Sequence, residues 1–217
     1  MGFGCTRQVR AFRQQSKSAP TRKLAETPTL YHVNVIPDAP FLVVPKVSSE
    51  RRGYVPIGWL EPPTIPSDLV FVLSDATKPQ FALLTSAMHM AWMRYFGGRL
   101  KSDYRYSIGV VYNTFPRPPV SERDLDRLTP HADAVLAARA NHLNATLADL
   151  YDPDAMPPDL RRAHSALDRA VDRLYRRARF ASERERVEHL FALYEQLQTP
   201  LAAEAEGKRK KRRVKKR

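Results

Sequence analysis

Cys5 is the only cysteine, so no disulfide can form within the chain, and no Cys/His spacing matches a structural zinc site. Core packing must stabilise the fold alone. Long apolar runs are missing too. None approaches the roughly 18 to 20 residues that span a bilayer, and charges stand where a signal peptide needs its apolar stretch. A membrane partner is therefore not expected, and a cytoplasmic location is. Acids are scarce where strands are predicted, which leaves no carboxylates to converge on a metal ion as nuclease chemistry requires. Also lacking is a glycine-rich turn after a strand, the feature that lets backbone approach S-adenosylmethionine in a doubly wound sheet. Nor is there an (N/D)PP(Y/F) loop to hold a target amino group: Glu61-Pro62-Pro63-Thr64 has neither the amide nor the aromatic. Gly2-Phe3-Gly4 and Phe96-Gly97-Gly98 read as a turn and a helix cap. No catalytic, cofactor-binding or metal-binding residue is assigned.

What is present is a chain of 217 residues, 43% hydrophobic, which is ordinary for a protein that buries a core. Its net charge of +13 sits at the ends. Nine of the last ten residues, Lys208 to Arg217, are basic, and the first 23 add six basic groups and no acid. Residues 46 to 117 hold nine basic and five acidic groups, whereas 118 to 207 hold twelve and sixteen. A mildly basic segment thus precedes an acidic one.

Residues 1–27 read as a connector, with a short helix that Pro20 stops and a polar, extended remainder. From 28 to 119 the pattern is that of an irregular mixed sheet. Apolar, β-branched runs at 30–35, 41–47, 54–60 and 69–73 are separated by Pro, Asp, Ser and Gly. Pro45 and Pro56 would each remove a ladder donor, so their strands should be edges or carry bulges. Phe81, Leu84, Met88, Ala91, Trp92 and Tyr95 recur at helical steps and predict one core helix over 79–95, ended by Gly97 and Gly98. Residues 99–115 return to strand-like composition. Residues 120–200 predict a small helical bundle from apolar stripes such as Leu160, Leu167, Val171 and Leu174, and 201–217 a disordered basic tail. The fold class is α+β. Asp152, Asp154 and Asp159 flank prolines in a loop, where turn and capping roles are commoner than metal ligation. His89 reads as a hydrogen-bonded core residue, and His164 and His189 lack a ligand at i+4.

What remains is binding. SSERRGY at 48–54 and GRLKSDYRY at 98–106 mix cations, hydroxyls, aromatics and glycine, which suits phosphates and base edges of duplex DNA. Ser48, Ser49, Arg51, Arg52, Ser67, Asp68, Arg99 and Arg105 are the candidate DNA contacts. A solvated loop and a salt-bridged strand would look the same.

The stretches VRAFRQQSKSAPTRKLAETPTL (9–30), VPKVSSERRGYVPIGWL (44–60), LLTSAMHMAWMRYFGGRLKSDYRYSIGVVYNTFPRP (83–118) and TLADLYDPDAMPPDLRRAHSALDRAVDRLY (146–175) resemble the target recognition and C-terminal regions of MmeI-like, type IIL restriction-modification enzymes. The resemblance implies a DNA-reading portion without the nuclease and adenine-N6 methyltransferase domains of complete members. Any S-adenosylmethionine would belong to a methyltransferase domain outside this chain. The chain would then be a truncated product, a deliberately cut piece, or a split subunit whose partner is a separately encoded methyltransferase or nuclease. The alternatives are a non-functional remnant, a helix-mediated interaction protein, and a methyltransferase fragment that still binds the cofactor. The resemblance also implies that Lys101 and Asp103 act as a pair specifying one base pair. Were 99–106 extended, side chains two apart would face the same way. The basic tail reads as a sequence-blind phosphate clamp or as a solubilising extension.

Overall fold

The computed structural model describes the backbone of residues 3–31 and 37–214, and side chains over 5–31 and 37–198. Most of the predicted run at 30–35 lies outside the described residues. The chain divides into two compact units, Met1–Asp38 and Ala39–Arg217.

In the first unit, α1 (Phe3–Gln14) is followed by a second helix, α2 (Ala19–Lys23), where the sequence suggested an extended connector. Ser18 is the reason. Its side chain accepts from the Thr21 N–H, and Pro20 lies in the first turn, where its missing donor costs nothing. Pro20 therefore starts a helix instead of stopping one. Arg13 folds the following turns back, donating to the carbonyls of Leu24 (2.9 Å), Thr27 (2.9 Å) and Leu30 (2.7 Å).

The second unit is α+β. Its strands form two small antiparallel sheets, ordered β3-β1-β4 and β2-β6-β5. The strands are β1 (Phe41–Pro45), β2 (Val47–Ser48), β3 (Gly58–Leu60), β4 (Val70–Leu73), β5 (Gly98–Leu100) and β6 (Asp103–Arg105). β1 is a central strand, contrary to the edge position that Pro45 suggested. Its partner β3 stops opposite Val43, so at Pro45 only the β4 side is paired and no ladder donor is lost. Pro56 lies in the loop before β3. Lys46 joins the sheets: its N–H donates to Leu69 O (3.0 Å), and its carbonyl accepts from Tyr106 (2.9 Å).

The single helix expected over 79–95 is two, α3 (Lys78–Leu84) and α4 (Ala87–Phe96). Thr85 and Ser86 break it. The Thr85 hydroxyl donates to Phe81 O (2.5 Å) and that of Ser86 to Leu83 O (2.7 Å), while Ser86 Oγ caps α4 by accepting from His89 N–H (3.3 Å). At the other end of α4 a Cβ on Gly97 would sit 2.5 Å from Met93 O, so glycine is required there for closeness. Residues 108–112, strand-like in composition, form a π-helical turn, Ile108–Tyr112. Val111 is fully buried on its inner side, so packing overrides the β-branched preference.

Beyond residue 119 the helices are α5 (Glu122–Asp126), α6 (Thr129–Ala140), α7 (Leu147–Leu150), α8 (Pro158–Tyr175) and α9 (Glu183–Val214). α9 reaches Val214, inside the segment 201–217 read as a disordered tail, whose last three residues lie outside the described ones; Ala, Glu, Lys and Arg are all strong helix formers. No helix among the described residues is long and apolar enough to cross a membrane.

One core runs through this unit without a break at 119. Trp92, fully buried, donates from Nε1 to Thr114 (3.2 Å), and its ring lies 4.0 Å from Phe96 and 5.6 Å from Tyr194 of α9. Tyr175 of α8 donates to Pro116 O (2.9 Å). A chain of polar groups threads the apolar contacts. Arg139 donates to Ile57 O (2.7 Å) and twice to Tyr151 Oη (3.0 and 2.5 Å). With both of those donors pointing at it, Tyr151 must donate to His164 Nε2 (2.6 Å), so His164 is neutral. The His164 ring stacks on Tyr54, 4.1 Å between centroids, and Tyr54 donates to Asp168 (2.6 Å).

Burial lowers the pKa of both His89 and His164 to about 3. Below pH 6.5 the unfolded chain takes up protons that the folded one refuses, so stability present above that pH falls as the pH drops toward 3. The slope is about 1.4 kcal/mol per pH unit for each histidine. Asp168, whose carboxyl is raised by burial, acts with the opposite sign, and the carboxyls lowered by hydrogen bonds, such as Asp149 and Glu185, add their loss only at more acid pH. Urea unfolding at pH 7 and pH 5 should show lower stability at pH 5, with a smaller loss in His164→Gln. Equal stability at the two values would contradict the buried neutral histidines.

Candidate nucleic-acid interface

β5 and β6 form a hairpin whose last ladder pair is Leu100↔Asp103, leaving Lys101 and Ser102 as a two-residue loop. Lys101 takes a positive φ of 57°, a conformation costly for a residue with a Cβ and usual for glycine in such loops. The loop is exposed, and the hairpin is anchored from beneath. Tyr104, buried, pairs with Ser48 on one side and Arg99 on the other. The Arg99 guanidinium lies 4.0 Å over the Tyr104 ring and donates to Ser102 O (3.3 Å), bracing the turn. The opposite face carries the rows Val47–Arg105–Gly98 and Asp103–Leu100, with Val47, Leu100 and Arg105 exposed. Asp103 Oδ1 accepts from the Glu50 N–H (3.4 Å), tying the 49–54 loop to the hairpin.

This corrects the premise that 99–106 is one extended strand. Lys101 is not in a strand, so period-two alternation does not place its side chain beside that of Asp103. The two residues instead share the hairpin tip. The signal was weak because the loop is Lys-Ser, with neither the Asn-Gly nor the glycine-led dipeptide that marks a tight hairpin.

The other candidates separate by exposure. Ser48 is 2% exposed, so its hydroxyl faces the core and not a ligand. Arg51 pairs with Asp154 (2.5 Å) on the loop before α8. Arg52 is half-buried, and its carbonyl accepts from Arg94 (3.4 Å). Ser67 Oγ accepts from Leu69 N–H (3.2 Å) and donates to Asp68 (3.4 Å), which makes this exposed pair a local turn before β4. Ser49 is half-buried, and Arg105 is exposed with no side-chain partner among the described residues. Lys101, Asp103, Arg99 and Arg105 thus sit on one hairpin, the loop carrying Ser49, Arg51 and Arg52 is tied to it through the Glu50–Asp103 bond, and Ser67 and Asp68 form the turn before β4.

The acids of the 149–159 loop have structural tasks. Asp149 completes a capping box with Thr146, Asp152 accepts from Asp154 N–H (2.9 Å), and Asp159 pairs with His142 (3.0 Å). Hydrogen bonds lower the Asp149 and Asp159 carboxyls below their ordinary range.

Comparison with known proteins decides the family. The family described as "MmeI, target recognition domain" matches residues 5–119, and "MmeI, C-terminal domain" matches 120–202. The chain belongs to the MmeI family. DNA methyltransferase A of Bacillus subtilis (strain 168) is 42% identical over 185 residues, which are 85% of this chain and 21% of that protein. The structure of the type IIL restriction-modification enzyme MmeI in complex with DNA is 40% identical, with a TM-score of 0.80 over 89% of this chain and 26% of that one. The chain thus spans about a fifth to a quarter of these relatives, and it corresponds to their target recognition and C-terminal domains.

The loop geometry has a measurable consequence. Glycine within a strand usually costs about 0.5–1 kcal/mol, but at Lys101 it would relieve the positive φ. Lys101→Gly should therefore be neutral or stabilising, within about 1 kcal/mol, in urea unfolding. A clear destabilisation would contradict the loop conformation.

Proposed function

We propose that this chain is the DNA-reading portion of an adenine-N6 DNA methyltransferase of the type IIL restriction-modification kind. The observation that carries the reading is the 40% identity and TM-score of 0.80 with an enzyme described in complex with DNA. The hairpin gives it a physical form. A two-stranded β-ribbon fits the major groove of B-DNA, and this one presents a cation and a carboxylate at an exposed tip with Arg99 and Arg105 beside them. S-adenosylmethionine and the methyl-transfer residues belong, in this reading, to a domain outside the chain, on the same polypeptide or on a cytoplasmic partner subunit.

In the major groove guanine offers acceptors at N7 and O6, and its cytosine partner offers the N4 donor. Lysine and aspartate complement those edges, so Lys101 and Asp103 together read G·C. The reversed pair would set donor against donor and acceptor against acceptor, and a good base contact is worth roughly 1–3 kcal/mol of discrimination. In a chain joined to a methyltransferase domain, Lys101→Glu with Asp103→Arg should move the preference at one position from G toward C. Sequencing methylated sites reads this directly. Identical motifs for both versions, or specificity abolished at every position, would sink the base-reading assignment.

A further inference from the structure

Away from the hairpin, a row of exposed arginines lies on α8 and the loop after it. Arg162, Arg169 and Arg173 stand at i, i+7 and i+11, within about 20° of one line along the helix and spread over about 16 Å of its length. All three are exposed, and none has a hydrogen-bond or ion-pair partner among the described residues. The stripe runs into a concavity at the C-terminal end of α8, where Arg169 and Arg173 are joined by Arg177 and Arg179, also exposed and without side-chain partners among the described residues.

The carboxylates that could neutralise this surface are committed elsewhere. Asp159 pairs with His142, and Asp168 accepts from Tyr54 and from Ala87 N–H (2.7 Å). Asp172 holds Arg186 by two hydrogen bonds (2.9 and 2.7 Å). Arg176, the one arginine of the concavity with partners, pairs with Glu185, donates to the carbonyls of Ala178 (3.1 Å) and Arg179 (2.9 Å), and stacks 3.7 Å over Phe180. It builds the loop that presents the others.

A helix C-terminus favours cations, which accounts for Arg173 in the last turn but not for Arg162 and Arg169 farther back. Arg169 and Arg173 are neighbours at i, i+4, where like charges repel. Folding gains nothing from that arrangement, whereas a row of phosphates does. The guanidinium fork matches phosphate oxygens, and a line of cations neutralises a polyanion with release of its counterions.

We propose that the Arg162–Arg169–Arg173 stripe and the adjoining arginine-lined concavity form a second, sequence-blind contact that grips the phosphodiester backbone of duplex DNA. The inference rests on the reading of this chain as a DNA-binding one. Base reading at the hairpin and backbone grip on α8 are separable tasks, because phosphate contacts position a protein while base contacts specify sequence.

The test uses the full chain, mixed-sequence duplex DNA and a salt series, comparing wild type with the triple variant Arg162→Gln, Arg169→Gln, Arg173→Gln and with the triple Arg→Lys variant. The plot of log affinity against log salt should become shallower in the Gln variant by about 0.9 for each phosphate that is no longer neutralised, a change of about 2 to 3 if all three arginines engage. The Lys variant should keep the wild-type slope, and the unfolding midpoint of the Gln variant should equal or exceed that of wild type. An unchanged slope in the Gln variant overturns the proposal, as does an unchanged slope together with abolished binding to polyglutamate, which would assign the stripe to an acidic protein. A shallower slope in a protein without sequence preference would leave the stripe standing and remove the hairpin reading. A wild-type chain that binds no duplex at low salt removes both.

Discussion

The Asp168 carboxylate is the constraint on which the arrangement of this molecule rests. It is half-buried on α8, accepts the Ala87 N–H at the start of α4 and the Tyr54 hydroxyl, and its withdrawal from water raises its pKa. A carboxylate partly withdrawn from water is costly unless hydrogen-bonded, so both donors offset that cost where they stand. Through the first bond the acid fixes where α4 begins, supplementing the Ser86 cap. Through the second it fixes Tyr54, whose ring then stacks on His164. One side chain of the C-terminal helices thereby positions a helix and a loop of the recognition region. The two sequence families meet at residue 119, but the core and these hydrogen bonds cross that point.

The hairpin inherits its placement from the same scaffold. α4 leads straight into β5 through Gly97, whose lack of a Cβ allows close approach to Met93 O. β6 pairs with β2, and the loop after β2 leads to Tyr54, so both sides of the hairpin are tied to the Asp168 network. Asp103 adds a bond from Glu50, and Arg99 braces the turn by lying on Tyr104. A rigid platform beneath an exposed two-residue tip suits a site that must discriminate by hydrogen-bond geometry.

Much of this was legible from residues. The burial of Trp92 and Met88, the apolar stripe of α8 and the turn role of Asp152 follow from spacing and local chemistry, whereas Asp159 pairs with His142 instead of capping α8. Less legible were features set by single side-chain hydrogen bonds. Thr85 and Ser86 broke a helix that periodicity drew as continuous, and Ser18 turned Pro20 from a stop into a start. Ile108–Tyr112 has strand composition, but the space around Val111 selects a π-helical turn. At the site, the basic and hydroxyl-rich composition of 48–52 and 98–105 marked both segments without distinguishing them. The ladder distinguishes them, because it buries Ser48 beside Tyr104 and brings Lys101 to a tip. The Asp168 network was not legible, since Tyr54, Ala87 and Asp168 are far apart in sequence.

The central claim is that the hairpin tip touches bases. Replacing Ser102 by a photo-crosslinking amino acid, irradiating the chain with a randomised duplex pool and sequencing the captured DNA tests it most directly, with exposed Leu143 as the comparison site. Capture from position 102 of base-linked duplexes that share a sequence is expected, with little capture from position 143. No capture from position 102, or equal capture of unrelated sequences from both positions, would contradict the claim.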